Sequence, residues 1–465
     1  MTVLLTADLA VPDATTREVI EHAGVLVDAD TIVAVGDAAA LRAAHPEARE
    51  EALGEAVLIP GLINAHHHSG LLRGTAEHLP VWRWLEVHID PMHRVLRADE
   101  AEVAARLCYA EGLLAGTTTV VDMWRFMDGA AHAARDLGNR LVSVNYVGAH
   151  PDHDFFDSLD DNERMLRDWA GDDRVTPWVG LEHPFYADDA GLQRAIAMAQ
   201  EHGTGLYTHC SESRDELPDW RARFGAKPLV ALERLGFLDA PKVALAHAVW
   251  LDDEEIGIAA AHDVGVAHAP VSNMKLASGA APVVRMLEAG LAVGIGTDGE
   301  KENNNLDLFE ELKTASLLAK LTAGPTVPVE GRRAAGITAV PAGDAATLDA
   351  WEVLAMATTG GARMLGMEDR LGRLAPGFAA DVVAVRTDTP RMTPLLPSGP
   401  FENVAANLVH AVRGSDVVFS MVAGAPVVRD GRLLTADLGS LIESARAAVP
   451  GLFARRAALA DSVDA

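Results

Sequence analysis

Three adjacent histidines, His66-His67-His68, end the run Pro60-Gly-Leu-Ile-Asn-Ala65. In a strand, side chains alternate, so His66 and His68 share one face and His67 takes the other. Two imidazoles on one face at a strand end can bind one transition-metal ion, although three adjacent histidines could equally line a solvated turn. Three further strand ends decide between these readings. His209 ends Gly205-Leu-Tyr-Thr-His with Glu212 three residues on, His247 ends Val243-Ala-Leu-Ala-His, and Asp298 ends Val293-Gly-Ile-Gly-Thr-Asp. A lone aspartate there would read as a helix cap. Four strands each ending in His or Asp make capping a poor explanation and point to one metal-binding, proton-handling centre.

Positioning such a centre needs several strands with a common mouth. From about residue 60 onward, short apolar β-branched runs alternate with amphipathic stretches. Strand patterns cover Val120-Val121, Leu141 to Val147, Val175 to Leu181, Gly205 to His209, Val243 to His247, Val264 to Ala269 and Ala292 to Thr297. Helical patterns run from Ala98 to Ala115, closed by Gly116, and from Asp188 to His202. With the strand entering His66, this makes eight strand-helix repeats over about 310 residues, as in a (β/α)8 barrel. A doubly wound open sheet has the same alternation. The barrel is favoured because polar residues cluster just after strands, where barrel sites are built.

The ends differ from the middle. Residues 1–58 and 376–434 hold short alternating strands such as Thr31 to Val35, Asp381 to Val385 and Val417 to Val422, with turns at Ala423-Gly424 and Asp430-Gly431. The expected architecture is therefore an α/β (β/α)8 barrel over 59–375, a small β-sandwich domain built from both termini, and a helical segment over 435–465.

The composition narrows the function. A net charge of -28 argues against nucleic-acid binding, which needs a basic footprint. Two cysteines, Cys108 and Cys210, exclude a disulfide framework and point to a reducing cytoplasm. The N-terminus has no basic leader, and no apolar run reaches the roughly 20 residues of a membrane span. The expected partner is a small-molecule substrate.

The motifs Pro60-Gly-Leu-Ile-Asn-Ala-His66-x-His68, His209-x-x-Glu212, Leu245-Ala-His247 and Gly296-Thr-Asp298 resemble those of the amidohydrolase superfamily. Within it the chain looks most like the deaminase and triazine-hydrolase branch. Val271 to Val283, Gly296-Thr-Asp-Gly299 and Asn303 to Phe309 are similar to segments of S-adenosylhomocysteine/methylthioadenosine deaminases. Gly377 to Val383 and Val427 to Leu433 also fit, so the likeness spans nearly the whole chain. The resemblance implies that His66, His68, His209 and Asp298 hold one divalent metal, zinc or iron, which activates a water. It implies Glu212 as the acid toward a ring nitrogen, with His247 and Asp298 handling the water proton and the developing charge. Relatives with two metals use a carboxylated lysine, but Val179 to Tyr186 contains no lysine; only Glu182 could bridge a second ion.

Trp82, Trp84 and Glu86 lie in a loop after the first strand, where an aromatic could stack on a heterocycle or equally be buried in the core. Asn303 follows Asp298, and His183 resembles a substrate-contacting histidine of the deaminases, so these are the candidates for substrate contact. Met123 and Met274 read as packing residues, Cys210 as a small buried filler, and His262 and His268 as non-catalytic. Three departures from the nucleoside-deaminase pattern are expected at the pocket mouth. Only Ser69 and Gly70 separate His68 from Leu71, Glu182-His-Pro-Phe-Tyr186 replaces His-Ala-Pro-Tyr, and Glu300-Lys301-Glu302 replaces small residues after Asp298. The expected activity is hydrolytic deamination of an amino-substituted heterocycle, either an adenosine-type nucleoside or a related purine or pyrimidine. The alternative keeps the site and releases chloride, alkylamine or thiol from a triazine-like or carbamoyl compound. A non-enzymatic scaffold of this fold is disfavoured because every expected ligand position is filled. A homo-oligomer is expected by analogy.

Overall fold

The structure, a computed structural model, describes residues 2–324, 326–328 and 339–463. The chain opens with five strands: β1 (Thr2–Ala10), β2 (Ile20–Asp28), β3 (Thr31–Asp37), β4 (Arg49–Ala52) and β5 (Ala56–Pro60). Eight parallel strands follow: β6 (Leu62–His67), β7 (Thr117–Trp124), β8 (Arg140–Asn145), β9 (Val175–Leu181), β10 (Gly205–Cys210), β11 (Lys242–His247), β12 (Gly265–His268) and β13 (Ala292–Ile295). They pair in chain order from β6 to β13, with helices in the connections, which is the expected barrel. Side chains of β6, β7, β8, β10, β12 and β13 are buried on both faces, polar ones such as Asn64, Asp122 and Asn145 included.

Between β6 and β13 the barrel closes through side chains and single bonds. Thr297 N–H donates to Asn64 Oδ1 at 3.0 Å and Asn64 Nδ2 donates to Thr297 Oγ1 at 2.8 Å. Asp298 N–H donates to His66 O at 3.0 Å, which sets the two metal-type residues side by side.

Connecting helices begin and end where the sequence provides caps. Asp188 accepts from Gly191 N–H at the start of the helix Asp189–His202, and Gly203 ends it in the left-handed conformation. Asp252 and Glu255 form a reciprocal capping box on the helix Asp253–Ala261.

After a short pair, β14 (Thr326–Pro328) with β15 (Ala339–Pro341), the chain returns to the first sheet with β16 (Val382–Arg386), β17 (Val417–Val422), β18 (Ala425–Arg429) and β19 (Arg432–Leu433). The small domain is one nine-stranded mixed sheet in the order β19-β18-β17-β16-β5-β1-β2-β3, with β4 beside β1. Its halves join where β5 pairs antiparallel with β16, Leu58 opposite Ala384. Buried Asp381 ties this sheet to the barrel. Its carboxylate accepts two bonds from Arg140 of β8, at 2.7 and 3.0 Å, and its carbonyl accepts from Gly61 N–H.

The last helix, Leu438–Val463, crosses the barrel mouth side of the molecule. Arg455 pairs with Glu100 and Arg456 donates to Val87 O at 2.7 Å, while Leu452 packs among Leu72, Val81 and Trp84. This helix thereby holds the segment Val81–Val95 against the barrel.

Candidate active site

The C-terminal ends of β6, β10 and β11 and the turn after β13 bring their polar residues to one buried point. His68 Nε2 lies 3.1 Å from His209 Nε2, and Asp298 Oδ1 lies 3.4 Å from His66 Nε2 and 3.5 Å from His68 Nε2. His247 Nε2 stands 3.9 Å from Asp298 Oδ2 and 3.8 Å from Glu212 Oε2. The backbone turns sharply to achieve this: His247 and Asp298 both adopt positive φ, 71° and 60°. Non-glycine residues take that conformation at a cost, and it is characteristic of sites where side-chain direction matters.

Each ring is oriented through its other nitrogen. His68 Nδ1–H donates to Met123 O and His209 Nδ1–H to Glu182 O, both at 2.6 Å. His247 Nδ1–H donates to Asn273 Oδ1 at 2.9 Å, and His66 Nδ1 meets the Tyr207 hydroxyl at 3.0 Å. A proton fixed on Nδ1 leaves a lone pair on Nε2, so several lone pairs converge. Burial lowers the pKa of all four rings, most for His68 and His209. Neutral donors facing each other at 3.1 Å, with His66 Nε2 buried and lacking a hydrogen-bond partner, fit a divalent metal and little else.

The sequence reading of His67 also has its counterpart here. His67 points to the other side of β6, where its Nδ1–H donates to Asp298 O at 3.1 Å, so it tethers the backbone of Asp298. Ser272 donates to Asp298 Oδ2 at 2.6 Å. Ser272, Asn273 and Tyr207 escaped sequence reasoning. Tyr207 carried a signal, since it precedes His209 by two and shares its strand face; Ser272 and Asn273 lay in the Val271 to Val283 segment that carried the family resemblance, though neither was given a role.

Around this cluster lies a narrow cavity walled by Val81, Trp84, Leu85 and Leu276 and edged by Tyr146, His183, Glu212 and Glu302. Glu212 is buried; burial, then the charge of Asp298, pushes its carboxyl up to about 8. A carboxyl raised in this way, beside the ring cluster, is suited to handing a proton to a bound molecule. His183 sits between two carboxylates, 2.7 Å from Glu182 and 3.8 Å from Glu216. Burial opposes its charge, but Glu182 and then Glu216 lift it to about 9. Glu182 also accepts from the Tyr146 hydroxyl at 3.1 Å, so its oxygens are already engaged.

Several expected contacts lie elsewhere. Glu86 does not reach the cavity: Trp84 and Leu85 turn inward, which turns Glu86 outward to solvent, 2.6 Å from Arg83. Trp84 lines the cavity, while Trp82 packs on the His183 ring with centroids 5.0 Å apart. Asn303 is buried behind Asp298, where it donates to Thr297 O at 2.8 Å and to Glu311, making it a brace for the loop. Met123 and Cys210 are buried as expected, but Met274 is 55% exposed, since its helix Pro270–Lys275 buries Ser272 and Asn273 instead. His262 lies near the surface beside Glu233, and His268 is buried outside the cluster. Glu300-Lys301-Glu302 is not a solvated rim: all three are buried, Glu300 accepts from Leu72 N–H, and Glu302 lines the cavity.

Comparison with known proteins places this geometry. Residues 57–427 match the model of the amidohydrolase family, and residues 23–48 match an imidazolonepropionase-like composite domain of bacteria. The chain is 38% identical over 418 residues to a 5-methylthioadenosine/S-adenosylhomocysteine deaminase of Moorella thermoacetica, covering 89% of this chain and 91% of that one. It superimposes on an adenosine deaminase from Xanthomonas campestris with bound zinc, at a TM-score of 0.85, 30% identity and coverage of 97% and 98%. An atrazine chlorohydrolase from Arthrobacter aurescens TC1 complexed with zinc gives a TM-score of 0.81 at 26% identity, covering 96% and 99%. With its barrel, its strand-end histidines and aspartate and a family match over most of its length, the chain belongs to the amidohydrolase family.

Proposed function

We propose that this protein is a metal-dependent aminohydrolase that deaminates an amino-substituted heterocycle, an adenosine-type nucleoside or a related purine or pyrimidine. The observation that carries this reading is Glu212, a buried carboxyl in the same cavity as the converging imidazoles, 3.8 Å from His247 Nε2. The named activities of the deaminase relatives support it.

In this reading His66, His68, His209 and Asp298 hold one divalent cation, zinc as in the two zinc-bound structures, with iron as the chemically acceptable substitute. Glu182 is already hydrogen-bonded with His183 and Tyr146, which supports one ion rather than two. When bound, the cation supplies a water activated near neutral pH. Glu212 gives its proton to the ring nitrogen beside the attacked carbon, which makes that carbon more electrophilic. His247, fixed by Asn273, accepts one water proton through Nε2 and returns it to the departing amine, and the remaining hydroxyl proton restores Glu212, so a C–O bond replaces a C–N bond and ammonia leaves. Trp84 and His183 contact the heterocycle, and Trp82 supports His183.

The likeness to the atrazine chlorohydrolase keeps a second reading in play, in which the same water displaces chloride, an alkylamine or a thiol. Metal-loaded protein offered a panel of purines, pyrimidines and triazines, with product mass and ammonia measured, separates the two. Ammonia release supports deamination; turnover with another leaving group and no ammonia overturns it.

Two free, buried cysteines support a reducing, cytoplasmic setting. Among the described residues no helix is long and apolar enough to cross a membrane. Exposed Leu317 and Leu321, one turn apart on the helix Leu308–Thr322, support a homo-oligomer. Light scattering should give a mass above one chain, reduced toward a monomer in a Leu317→Asp/Leu321→Asp variant.

A further inference from the structure

His183 edges the cavity, yet it stands in a loop and not on a strand. The loop leaves β9 and passes through a one-turn 3-10 helix, Pro184–Tyr186, before the helix Asp189–His202 begins. So short a turn cannot supply donors to its own carbonyls, which must find them outside. Arg223 provides them from the last turn of the helix Leu217–Phe224, which follows Glu212. Its Nη1 donates to Pro184 O and to Phe185 O, both at 3.1 Å, and its Nη2 donates to Ala187 O. One planar guanidinium, whose donors point in a fixed fork, thus grips three carbonyls of one loop. The exposed Asp189 carboxylate, 3.5 Å from Nη2, adds little to this.

Its neighbours reach the same loop. Trp220, one turn earlier and fully buried, packs edge-on against Phe185 with centroids 4.9 Å apart, and Phe185 stacks on His183 at 6.1 Å. Glu216, a turn before that, brings Oε2 to 3.8 Å from His183 Nε2. Residues at this spacing share one helix face, so the face is turned to the loop. His183 Nδ1–H donates to Glu182 Oε2 at 2.7 Å and Trp82 covers the ring at 5.0 Å, which orients the imidazole within its loop. Where the loop stands relative to Glu212 is a separate matter. Arg223 settles it, because it joins the loop to the segment that carries Glu212.

We propose that Arg223 is a positioning residue for the reaction: from the helix that follows Glu212 it holds the loop after β9 and thereby sets the His183 ring in the cavity wall. The inference rests on the reading of His183 as a contact of the heterocycle and adds what places it. A lysine at this position keeps the charge, but a single ammonium on a flexible stem does not span three carbonyls in one geometry. An alanine releases all three.

The first measurement needs no substrate. In the zinc-loaded full chain the His183 Nδ1 proton, held by Glu182, gives a downfield proton resonance that is identified by its loss in His183→Gln. Arg223→Ala should shift or broaden it, and Arg223→Lys should do so less. Arg221→Ala, at an exposed position of the same helix, should leave it in place. The second measurement uses adenosine as the probe ligand, by calorimetry in the zinc-loaded Glu212→Gln background. Arg223→Ala should weaken binding by about tenfold. With His183→Gln already present it should add less than about twofold, because a residue that acts through His183 then has nothing left to position. An unmoved resonance in Arg223→Ala, or losses that simply multiply in the combined variant, overturns the proposal. If Arg223→Ala does not fold, Arg223→Lys decides by the same two readouts. If adenosine does not bind even with Arg223 intact, the resonance alone decides on Arg223, and the failure counts against the adenosine-type reading of the cavity instead.

Discussion

The two nitrogens of each imidazole at this centre have different tasks. Nδ1 is spent on a carbonyl, an amide oxygen or a hydroxyl, and Nε2 is left with a lone pair pointing at its neighbours. Such crowding is favourable only with a cation among the rings, so ligand and acid should separate experimentally. His66→Ala should lower bound metal, measured by elemental analysis, by about tenfold or more. Glu212→Gln should keep the metal and lower kcat by about 10²- to 10⁴-fold, since only the proton donor is lost. His66, His68, His209, His247 and Asp298 were legible as candidates from strand-end position and type, and Glu212 from its spacing after His209 and the family resemblance. Glu86 and Asn303 were misjudged for a local reason: sequence proximity to the site does not set which way a helix or loop faces.

At the scale of elements, strand registers deliver these side chains. Gly296, two residues before Asp298, lies against β6, where a Cβ would meet His66 N at 2.7 Å and His66 Cβ at 2.8 Å. Gly296→Ala should part the seam between β6 and β13 and misplace His66 against Asp298. The expected result is a loss of metal occupancy and about a 100-fold fall in kcat/KM, with circular dichroism little changed.

The ends of β7 and β8 are stapled by Asp157, which accepts from Asn145 Nδ2 at 2.9 Å and Phe126 N–H at 3.2 Å, with Arg125 Nε 3.4 Å away. Burial, opposed by Arg125, raises its pKa to about 6. The folded state therefore holds this proton more tightly than the unfolded chain, whose aspartate titrates near 3.8. The resulting stabilisation is complete below about pH 4 and is lost as pH rises through about 6. Urea midpoints of the unaltered protein relative to Asp157→Asn should fall between about pH 4 and pH 6; a flat difference would refute the assignment.

For the whole molecule, the decisive contact joins two segments far apart in sequence. Arg140 of β8 and Asp381, just before β16, form a buried two-bond pair between barrel and small sheet, and Asp381 also accepts from Ala423 N–H. Arg140→Ala leaves a buried carboxylate without its partner and should cost about 3–5 kcal/mol, read as a lower midpoint of chemical unfolding. The final helix works at the same scale: by docking Arg455 and Arg456 on the segment that carries Trp84, it braces one wall of the cavity from the far end of the chain.

The sequence by itself determined the strand-helix alternation, the small sheet at both ends and the metal-type residues. Each is a local or periodic signal: a run of β-branched residues, a period of two, a polar residue at a strand end. β9 was expected over Val175 to Leu181, and the structure forms it over those residues. Only the tertiary structure decided which residues brace the ligands, that Glu302 faces the cavity, and that Glu86 does not. Those outcomes depend on how strands close into a barrel and how loops cross its mouth. Ser272 meets Asp298 across 26 positions of sequence and Arg140 meets Asp381 across 241, and no local pattern encodes either meeting.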